Sequence, residues 1–217
     1  MPGRNDPWGY VMAERGHWIF AAFYRRICDV SDRAGFGKVR ARLIGDATGD
    51  VLEIGAGVGG NLPYYANADH VCLVEPDPAM RKTLAARLGR SPVAAEIGTG
   101  TAEETPYPDG RFDTVVSSLV LCTVDDIDRS AAEARRVLKP GGTFLFVEHV
   151  GSPDPKARRR QERVEPVWRR LFGGCRLTRD PVAALEKAGF TEIRTETVDL
   201  GRQPGLTKPV ILGSARA

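Results

Sequence analysis

The chain has 217 residues, of which 42% are hydrophobic and 27% charged, and its formal net charge is +3. This length is enough for one domain with a single core, and so small a charge argues against nucleic acid as a partner. The four cysteines are widely spaced, with no CxxC motif or other metal-ligand spacing, so we expect reduced thiols, no metal site and a cytoplasmic location. We expect no signal peptide, and no apolar run approaches the roughly 18 residues that cross a bilayer.

Residues 1–48 precede the first predicted strand, and we expect them to form helices that cap the domain as a lid. Aromatic residues between Trp8 and Tyr24 recur at roughly helical spacing, and arginines supply the polar side. Three interpretations of this segment stay open: a helix packed on the sheet edge, a lid over cofactor and substrate, or a peripheral membrane contact, which is the least favoured. A second helix is predicted from about Lys38 to Asp46.

A glycine-rich turn follows the first predicted strand, Val51–Ile54, whose apolar run indicates a buried parallel strand. Its glycines let the chain reverse sharply and let backbone N–H groups approach a ligand. The helix expected after Asn61 points its N-terminus at that ligand. Gly55, Gly57 and Gly60 also satisfy the dinucleotide fingerprint, so the turn predicts a nucleotide-like cofactor without deciding which one.

Two carboxylates favour S-adenosylmethionine (SAM) over NAD. Glu53 lies two residues before Gly55, where it suits the cationic amino group of a methionine moiety and is awkward beside a pyrophosphate. Glu75 ends the next strand, Val71–Val74, and is placed to accept hydrogen bonds from both ribose hydroxyls. Because NAD and SAM share the ribose acid, Glu53 is the residue that discriminates between them. We therefore expect SAM as the cofactor.

Further cofactor contacts are predicted at strand ends along the chain. A helix over Ala79–Leu88, capped by Asp77, places Met80 either against an adenine ring or in the core. A third strand, Val93–Ile97, and a fourth, Phe112–Ser117, are each followed by a segment that we expect to face the ligand. The full set of predicted cofactor contacts is Glu53, Gly55, Ala56, Gly57, Gly59, Asn61, Glu75, Pro76, Met80, Thr101, Ala102, Glu103, Ser118 and Leu119.

Strands that alternate with helices predict an α/β fold with a parallel, doubly wound, Rossmann-like sheet. An amphipathic helix over Asp125–Leu138 is stopped by Pro140, and a fifth strand, Thr143–Val150, carries Glu148 and His149 at its end. Ligands bind beyond the carboxyl ends of the strands in such sheets. The candidate site residues come from five such ends, and this convergence is stronger evidence than any single motif.

The chain resembles the class I SAM-dependent methyltransferases over Val51–Ala217. The motifs that carry the resemblance are Glu53 with Gly55, Gly57 and Gly59; Glu75 followed by Met80; Phe112-Asp113; and residues 136–142. This resemblance implies a seven-stranded sheet. Its last strand, here about Lys208–Ala215, is expected to insert antiparallel beside the strand near Glu192–Asp199.

More narrowly, the chain resembles the methyltransferase-like alkyl thiol methyltransferases. Four stretches carry this resemblance: residues 61–65, 119–122, 148–150 and 166–179. They lie in the parts of the chain that are expected to face the substrate. The resemblance therefore implies a small-molecule acceptor, with a thiol sulfur favoured as the methylated atom.

We predict a single methyltransferase domain over residues 1–217. Residues 1–48 form its helical lid or cap, 49–150 its SAM-binding core, and 151–217 a substrate-side insert with the C-terminal strands. The insert opens with a basic stretch, 156–163, which we interpret as a solvated helix face. The predicted substrate pocket is lined by Cys122, His149, Trp168 and Phe172.

The nature of the acceptor decides whether a general base is needed. A thiol is already a few per cent thiolate at about pH 7 and can be methylated without a dedicated base. An oxygen or amine acceptor needs one, and His149 is then the candidate catalytic residue, unless it only orients the strand end.

Methyl transfer from SAM to a small molecule is the function that we expect, and several alternatives stay open. The acceptor atom could instead be a phospholipid amine, a quinone or a natural-product oxygen. Outside this class, a non-catalytic SAM-binding regulator and an NAD(P)-dependent oxidoreductase also fit the glycine turn. The oligomeric state is left open.

Overall fold

The computed structural model describes Arg26, residues 28–200 and residues 205–217. The predicted aromatic segment between Trp8 and Tyr24 lies outside the described residues. Within them the chain forms seven strands: β1 (Gly49–Ile54), β2 (Ala68–Val74), β3 (Ala94–Gly98), β4 (Phe112–Ser118), β5 (Leu138–His149), β6 (Thr191–Val198) and β7 (Val210–Arg216).

All seven strands belong to one sheet with the order β3-β2-β1-β4-β5-β7-β6. The first five strands are mutually parallel, whereas β7 lies between β5 and β6 and runs antiparallel to both. This confirms the predicted Rossmann-like fold with an antiparallel last strand. Ile54 pairs with Ser117, and Ser118 pairs with Val147. The carboxyl ends of β1, β4 and β5 therefore meet at one edge of the sheet.

Helices cover both faces of the sheet. A π-helical turn (Asp32–Phe36) leads into the helix Gly37–Gly45, and short 3-10 turns lie at Leu62–Tyr64, Leu88–Arg90 and Gly205–Thr207. None of the described helices combines the length and the apolar character needed to cross a membrane. The α-helices of the described residues are α1 (Gly37–Gly45), α2 (Pro78–Ala85), α3 (Ile127–Val137), α4 (Pro155–Leu171) and α5 (Pro181–Lys187).

Four of these helices begin in the same way, with an aspartate as the N-cap. The carboxylate of Asp77 accepts hydrogen bonds from the amides of Ala79 and Met80, which confirms the cap predicted for α2. A carboxylate in this position satisfies amides that have no partner within the helix. The aspartates that cap α3, α4 and α5 are Asp126, Asp154 and Asp180.

The core consists of two apolar layers, one on each face of the sheet. In β5, Phe144 and Phe146 belong to the layer that α3 and α5 cover, while Leu145 and Val147 belong to the layer that α1 covers. This alternation follows from the two-residue period of a strand. Both faces are apolar because helices cover both, which is why these strands read as nearly continuous apolar runs in the sequence.

The helix expected after Asn61 is only the 3-10 turn Leu62–Tyr64. The predicted start of a strand is also wrong: β5 begins at Leu138 and not at Thr143. The prediction took Pro140-Gly141-Gly142 as a turn that ends a helix and precedes the strand. In the structure α3 stops at Val137, and Leu138 already pairs with Phe112 of β4. The register between these strands shifts between Phe112 and Thr114, and this irregularity accommodates the proline and glycines.

We expect Phe144→Ala to lower the free energy of unfolding by about 3–5 kcal/mol, because it removes a fully buried ring. The centroid of that ring lies 5.7 Å from that of Phe146 and 5.5 Å from that of Phe190, so the cavity opens inside one core layer. Urea denaturation followed by circular dichroism measures the loss. Val167→Ala, at an exposed position of α4, is the control and should change the free energy by less than about 0.5 kcal/mol. Equal losses for the two variants would contradict this description of the core.

Candidate active site

Glu53 is the centre of a buried hydrogen-bonded group at the carboxyl end of β1. Only 2% of its surface is exposed. One carboxylate oxygen accepts a hydrogen bond from Asn61 Nδ2 at 2.8 Å and the other from the Tyr65 hydroxyl at 2.6 Å. Burial raises the pKa of Glu53 to about 7, although these two hydrogen bonds and the nearby Arg40 lower it. The protonation of Glu53 is therefore sensitive to any charge that binds beside it.

Arg40 completes this group, and sequence reasoning missed it. Its guanidinium donates to the side-chain oxygen of Asn61 and, at 3.4 Å, to the hydroxyl of Ser118. Arg40 is buried, although an arginine in a surface helix usually faces solvent. The available signal was its spacing from Leu43 and Ile44, which places all three on the same buried face of α1.

The glycine turn after β1 adopts a backbone conformation that favours glycine. Gly55, Gly57 and Gly59 all have positive φ angles, of 63°, 55° and 78°. A Cβ atom on Gly55 would lie 2.6 Å from a methyl carbon of Val120. The turn is thus held close to the segment that follows β4, and no larger residue fits at Gly55 without displacing that segment.

Glu75 links the glycine turn to the start of α2. Its two carboxylate oxygens accept hydrogen bonds from the amides of Gly57 and Asp77, both at 2.8 Å. Burial raises the pKa of Glu75, while these amides oppose the shift. An ionised carboxylate has about four acceptor sites, so each oxygen can accept a further bond. Beside it, Pro76 is exposed and Met80 is half-buried.

The predicted adenine contacts after β3 form a short turn. The amide of Thr101 donates to the carbonyl of Glu104 at 3.0 Å, and Ala102 is buried. The Glu103 carboxylate accepts hydrogen bonds from the amides of Asp125 and Asp126, just before α3. The structure therefore engages Glu103 with the chain itself, and an adenine contact in this turn stays a prediction.

Glu148 fixes the segment that follows β4. Its carboxylate accepts hydrogen bonds from the Ser117 hydroxyl and from the amides of Val120 and Leu121, each at 2.9 Å, and from the amide of Cys122 at 3.3 Å. Within this segment Leu119 has a φ of 60°, a conformation that is uncommon for a residue with a side chain. Strain of this kind persists only where surrounding contacts enforce it.

The acceptor end of the site is formed by Cys122, His149, Trp168, Phe172 and Cys175. The Sγ atom of Cys175 lies 3.0 Å from Nε2 of His149 and accepts a hydrogen bond from Nε1 of Trp168, also at 3.0 Å. The rings of Trp168 and Phe172 stack with centroids 3.9 Å apart. The structure thus brings together the predicted pocket residues and adds Cys175, which lies in the stretch 166–179 but was not predicted as a pocket residue.

The thiols and the imidazole at the acceptor end strongly influence each other's pKa values. The hydrogen bond with Cys122, followed by those with His149 and Trp168, lowers the pKa of Cys175 although burial opposes the shift. Burial alone would lower the pKa of His149, but the hydrogen bond and charge of Cys175 raise it. Nδ1 of His149 is buried and has no hydrogen-bond partner among the described residues.

The described residues line two cavities, of which one lies at the strand ends described above. A small one lies between Glu53, the glycine turn and Ser118, and Arg40 and Cys28 also line it. A larger one, of about 260 Å³, lies between α1 and strands β6 and β7. None of the residues lining the larger cavity belongs to the strand ends described above, so we assign the site to the smaller cavity on chemical grounds and not on volume.

Comparison with known proteins identifies the class. A family model described as a methyltransferase domain matches residues 52–146. A SAM-dependent methyltransferase structure from Thermotoga maritima, described as a possible histamine N-methyltransferase, superposes with a TM-score of 0.66 at 21% identity, covering 92% of this chain and 98% of that one. The fold and the site together define a class I SAM-dependent methyltransferase, so the predicted enzyme class and cofactor are confirmed.

Two human relatives narrow the assignment further. The thiol S-methyltransferase TMT1A is 34% identical over 169 residues, which cover 76% of this chain and 69% of the relative. The thiol S-methyltransferase TMT1B is 35% identical over 174 residues, with the same coverage. The chain belongs to the methyltransferase family that contains these two proteins, which confirms the resemblance found in the sequence.

The residues at the carboxyl edge of the sheet fit SAM. Glu53 offers a buried carboxylate whose negative charge is favoured by a neighbouring cation. Glu75 retains acceptor capacity suited to a sugar diol. Gly55 and Gly57 leave the backbone free of Cβ atoms where a ligand approaches. These groups supply the opposite charges and hydrogen-bond acceptors that an ammonium group and a ribose require.

We expect Glu148→Gln to release the segment after β4, because an amide presents one acceptor and one donor where the carboxylate presents only acceptors. The free energy of unfolding should fall by about 1–3 kcal/mol, and the amides of Val120, Leu121 and Cys122 should exchange hydrogen faster. Hydrogen exchange read by mass spectrometry measures the second effect. Glu103→Gln removes a similar carboxylate from a half-buried position and should leave these three amides unchanged. Slow exchange in the Glu148 variant would contradict its role.

Proposed function

We propose that this chain is a thiol S-methyltransferase, which transfers the methyl group of SAM to the sulfur of a small thiol. The observation that carries the proposal is its similarity to two thiol S-methyltransferases over three quarters of its length. The acceptor end supports it, because the stacked rings of Trp168 and Phe172 offer an apolar wall beside the buried side chains of Cys122 and His149. Such a wall suits a thiol that carries an apolar substituent.

We assign the predicted contacts to the parts of SAM by their chemistry. Glu53, with Asn61, would hold the methionine amino group, Arg40 its carboxylate, and Glu75 the ribose hydroxyls. When bound, SAM supplies a methyl group on a cationic sulfur: the acceptor S–CH₃ bond forms as the sulfonium C–S bond breaks, the electron pair stays on the departing thioether, and the acceptor proton goes to solvent. The remaining predicted contacts in this proposal are Gly55, Ala56, Gly57, Gly59, Pro76, Met80, Thr101, Ala102, Glu103, Ser118 and Leu119.

The chain's main task at the acceptor end is to align the acceptor sulfur and to exclude water. Alignment of reacting groups alone can lower a barrier by about 7–11 kcal/mol at best. Direct transfer needs no protein nucleophile, so Cys122 lines the pocket and is not methylated in the reaction. We place His149 in contact with the acceptor sulfur. A general base at His149 is required only if the acceptor is an oxygen or an amine.

Incubation of the protein with SAM and a mixed panel of thiols, amines and phenols tests the acceptor class. We expect mass spectrometry to find the thiols, and not the other compounds, heavier by one methylene group. His149→Asn should lower kcat/KM for the best thiol by at least about tenfold, because its side chain meets the acceptor sulfur. Methylation of amines or phenols with no methylation of any thiol would overturn the proposal. A cytoplasmic location stays a prediction.

The pKa of Glu53 makes cofactor binding depend on pH. With a pKa of about 7 in the free protein, Glu53 must lose a proton before it can pair with a cationic amino group. We therefore expect the Kd for the demethylated cofactor, S-adenosylhomocysteine, to be constant above about pH 7 and to rise by up to about tenfold per pH unit below it. Two neighbouring groups act on the pKa of Glu53 in opposite directions: Arg40 from α1 lowers it, and Glu75 beside β2 raises it.

Calorimetry from about pH 5 to about pH 8 measures this dependence. Glu53→Gln should bind S-adenosylhomocysteine more weakly, with a Kd that no longer varies through the same range. Glu186→Gln, at an exposed position of α5, is the matched control and should keep the wild-type slope, because its carboxylate lies outside the predicted cofactor contacts. A flat profile for the wild-type protein would remove Glu53 as the ammonium contact.

A further inference from the structure

Three side chains at the acceptor end form a cluster that the proposed reaction leaves partly unexplained. Cys122 follows β4, His149 ends β5, and Cys175 follows α4, so the fold assembles the cluster from three separate segments. One nitrogen or sulfur atom from each residue lies within 4.8 Å of the other two. All three residues are buried. The sequence predicted no metal site because these residues have no recognisable spacing, whereas the fold places them together.

These three atoms match the ligands that zinc prefers. Zinc binds thiolate sulfur at about 2.3 Å and imidazole nitrogen at about 2.0–2.1 Å, usually with tetrahedral geometry. Tetrahedral angles then place neighbouring ligand atoms about 3.5–3.8 Å apart. Cys175 Sγ and His149 Nε2 lie 3.0 Å apart, and the cluster as a whole spans no more than 4.8 Å. Side-chain shifts of less than about 1 Å are enough to open this cluster around one ion.

The number of protein ligands in the cluster indicates the kind of zinc site. Structural zinc sites in proteins have four protein ligands, whereas catalytic sites have three and leave the fourth position to a substrate or water. Within the described residues, the cluster supplies two cysteines and one histidine. Two thiolates balance the charge of a divalent cation, so an ion in this cluster would add no net charge to a buried site.

The surroundings already position the two cysteines of the cluster as an outer shell of hydrogen bonds would. Nε1 of Trp168 donates to the Sγ atom of Cys175, and the carboxylate of Glu148 accepts the amide hydrogen of Cys122. Outer-shell bonds of this kind orient metal ligands and tune their basicity. Neither ring nitrogen of His149 is bonded, within the described part of the chain, to a residue outside the cluster.

We propose that Cys122, His149 and Cys175 bind one zinc ion, and that the acceptor thiol occupies the fourth coordination position as a thiolate. This inference rests on the proposed thiol methylation and supplies its missing step, the activation of the acceptor. A thiol that coordinates zinc loses its proton, here to solvent, without the help of a side-chain base. The product is a neutral thioether with no thiolate charge, so it binds zinc more weakly and can leave.

A second cluster provides the control for the experiment. His70, Cys72 and Glu96 also have ligand atoms within 4.8 Å of one another, but they lie on β2 and β3 near the sheet edge, and Glu96 is exposed. Cys72→Ser removes a buried cysteine that plays no part in the proposed site. If zinc binds at the acceptor end, Cys72→Ser should retain it and Cys175→Ser should lose it.

Metal analysis of the full-length protein, reconstituted with zinc and freed of excess ion, is the first measurement. We expect about one zinc per chain in the wild type and in Cys72→Ser, and less than about a tenth of that in Cys175→Ser and His149→Asn. Binding of S-adenosylhomocysteine shows whether each variant is folded, because that site lies outside the cluster. Loss of zinc from Cys72→Ser with retention in Cys175→Ser would place the ion in the other cluster and overturn the proposal.

Cobalt replaces zinc as a probe that can be seen without turnover. The cobalt-loaded wild type should show the thiolate charge-transfer and intense visible bands of a tetrahedral site. Addition of a small thiol in the absence of SAM should change these bands, and addition of its methylated thioether should not. A visible spectrum that does not change when the thiol is added would exclude coordination of the acceptor.

Chelation of the wild type tests the chemical role without any substitution. A thiol with a pKa of about 8.5 is only a few per cent thiolate at about pH 7, so removal of zinc should lower thiol methylation roughly thirtyfold there, with a smaller loss at about pH 9. Added zinc should restore the rate. Full activity in metal-free protein would overturn the metal site while leaving the proposed function intact. Zinc binding without methylation of any thiol would do the reverse.

Discussion

The buried carboxylate of Glu148 is the constraint on which the geometry of the site depends. It lies inside the fold at the end of β5, where a negative charge without partners would cost several kcal/mol. The chain meets this cost by turning the amides of Val120, Leu121 and Cys122 toward it. Those same bonds set the positions of Val120, which lies against Gly55 of the glycine turn, and of Cys122 at the acceptor end. One electrostatic requirement therefore determines the relative positions of both halves of the site.

Glu53 is also a buried carboxylate, but unlike Glu148 it accepts no hydrogen bond from a backbone amide among the described residues. Its two hydrogen bonds come from side chains, Asn61 and Tyr65, and they offset only part of the cost of burial, so its pKa stays near 7. A carboxylate in this condition gains most from a cation that arrives with the ligand. Arg40 supplies some positive charge from α1, but it is bonded to Asn61 and Asp32 and leaves Glu53 incompletely compensated. The fold thus keeps one acid satisfied and leaves the other responsive to SAM.

The sequence predicted those features that arise from local patterns and from strand order. Apolar runs predicted the strands, and Asp77 before Pro78 predicted the start of a helix. The alternation of strands with helices predicted that Glu53 and His149 would lie at the same edge of the sheet. Arg40 was missed because helical spacing does not show whether a charged side chain finds buried partners. Cys175 was missed because its neighbours come from distant segments. The hydrogen bonds from the amides before α3 to Glu103 could not be predicted either, because they depend on loop geometry, and its adenine contact stays a prediction.

Residues on the cofactor side of the site were easier to predict from the sequence than the contacts at the acceptor end. The end of β1, the glycine turn after it and the end of β2 supply Glu53, Asn61 and Glu75, which therefore stand at short spacings in the sequence. The acceptor end combines the ends of β4 and β5 with the segment after α4, and it exists only when the sheet has formed. Substitutions after α4 can therefore alter the acceptor without disturbing Glu53 or Glu75. Changes at Glu148 act on both ends of the site, because its carboxylate bonds to Val120, which lies against Gly55, and to Cys122 at the acceptor end.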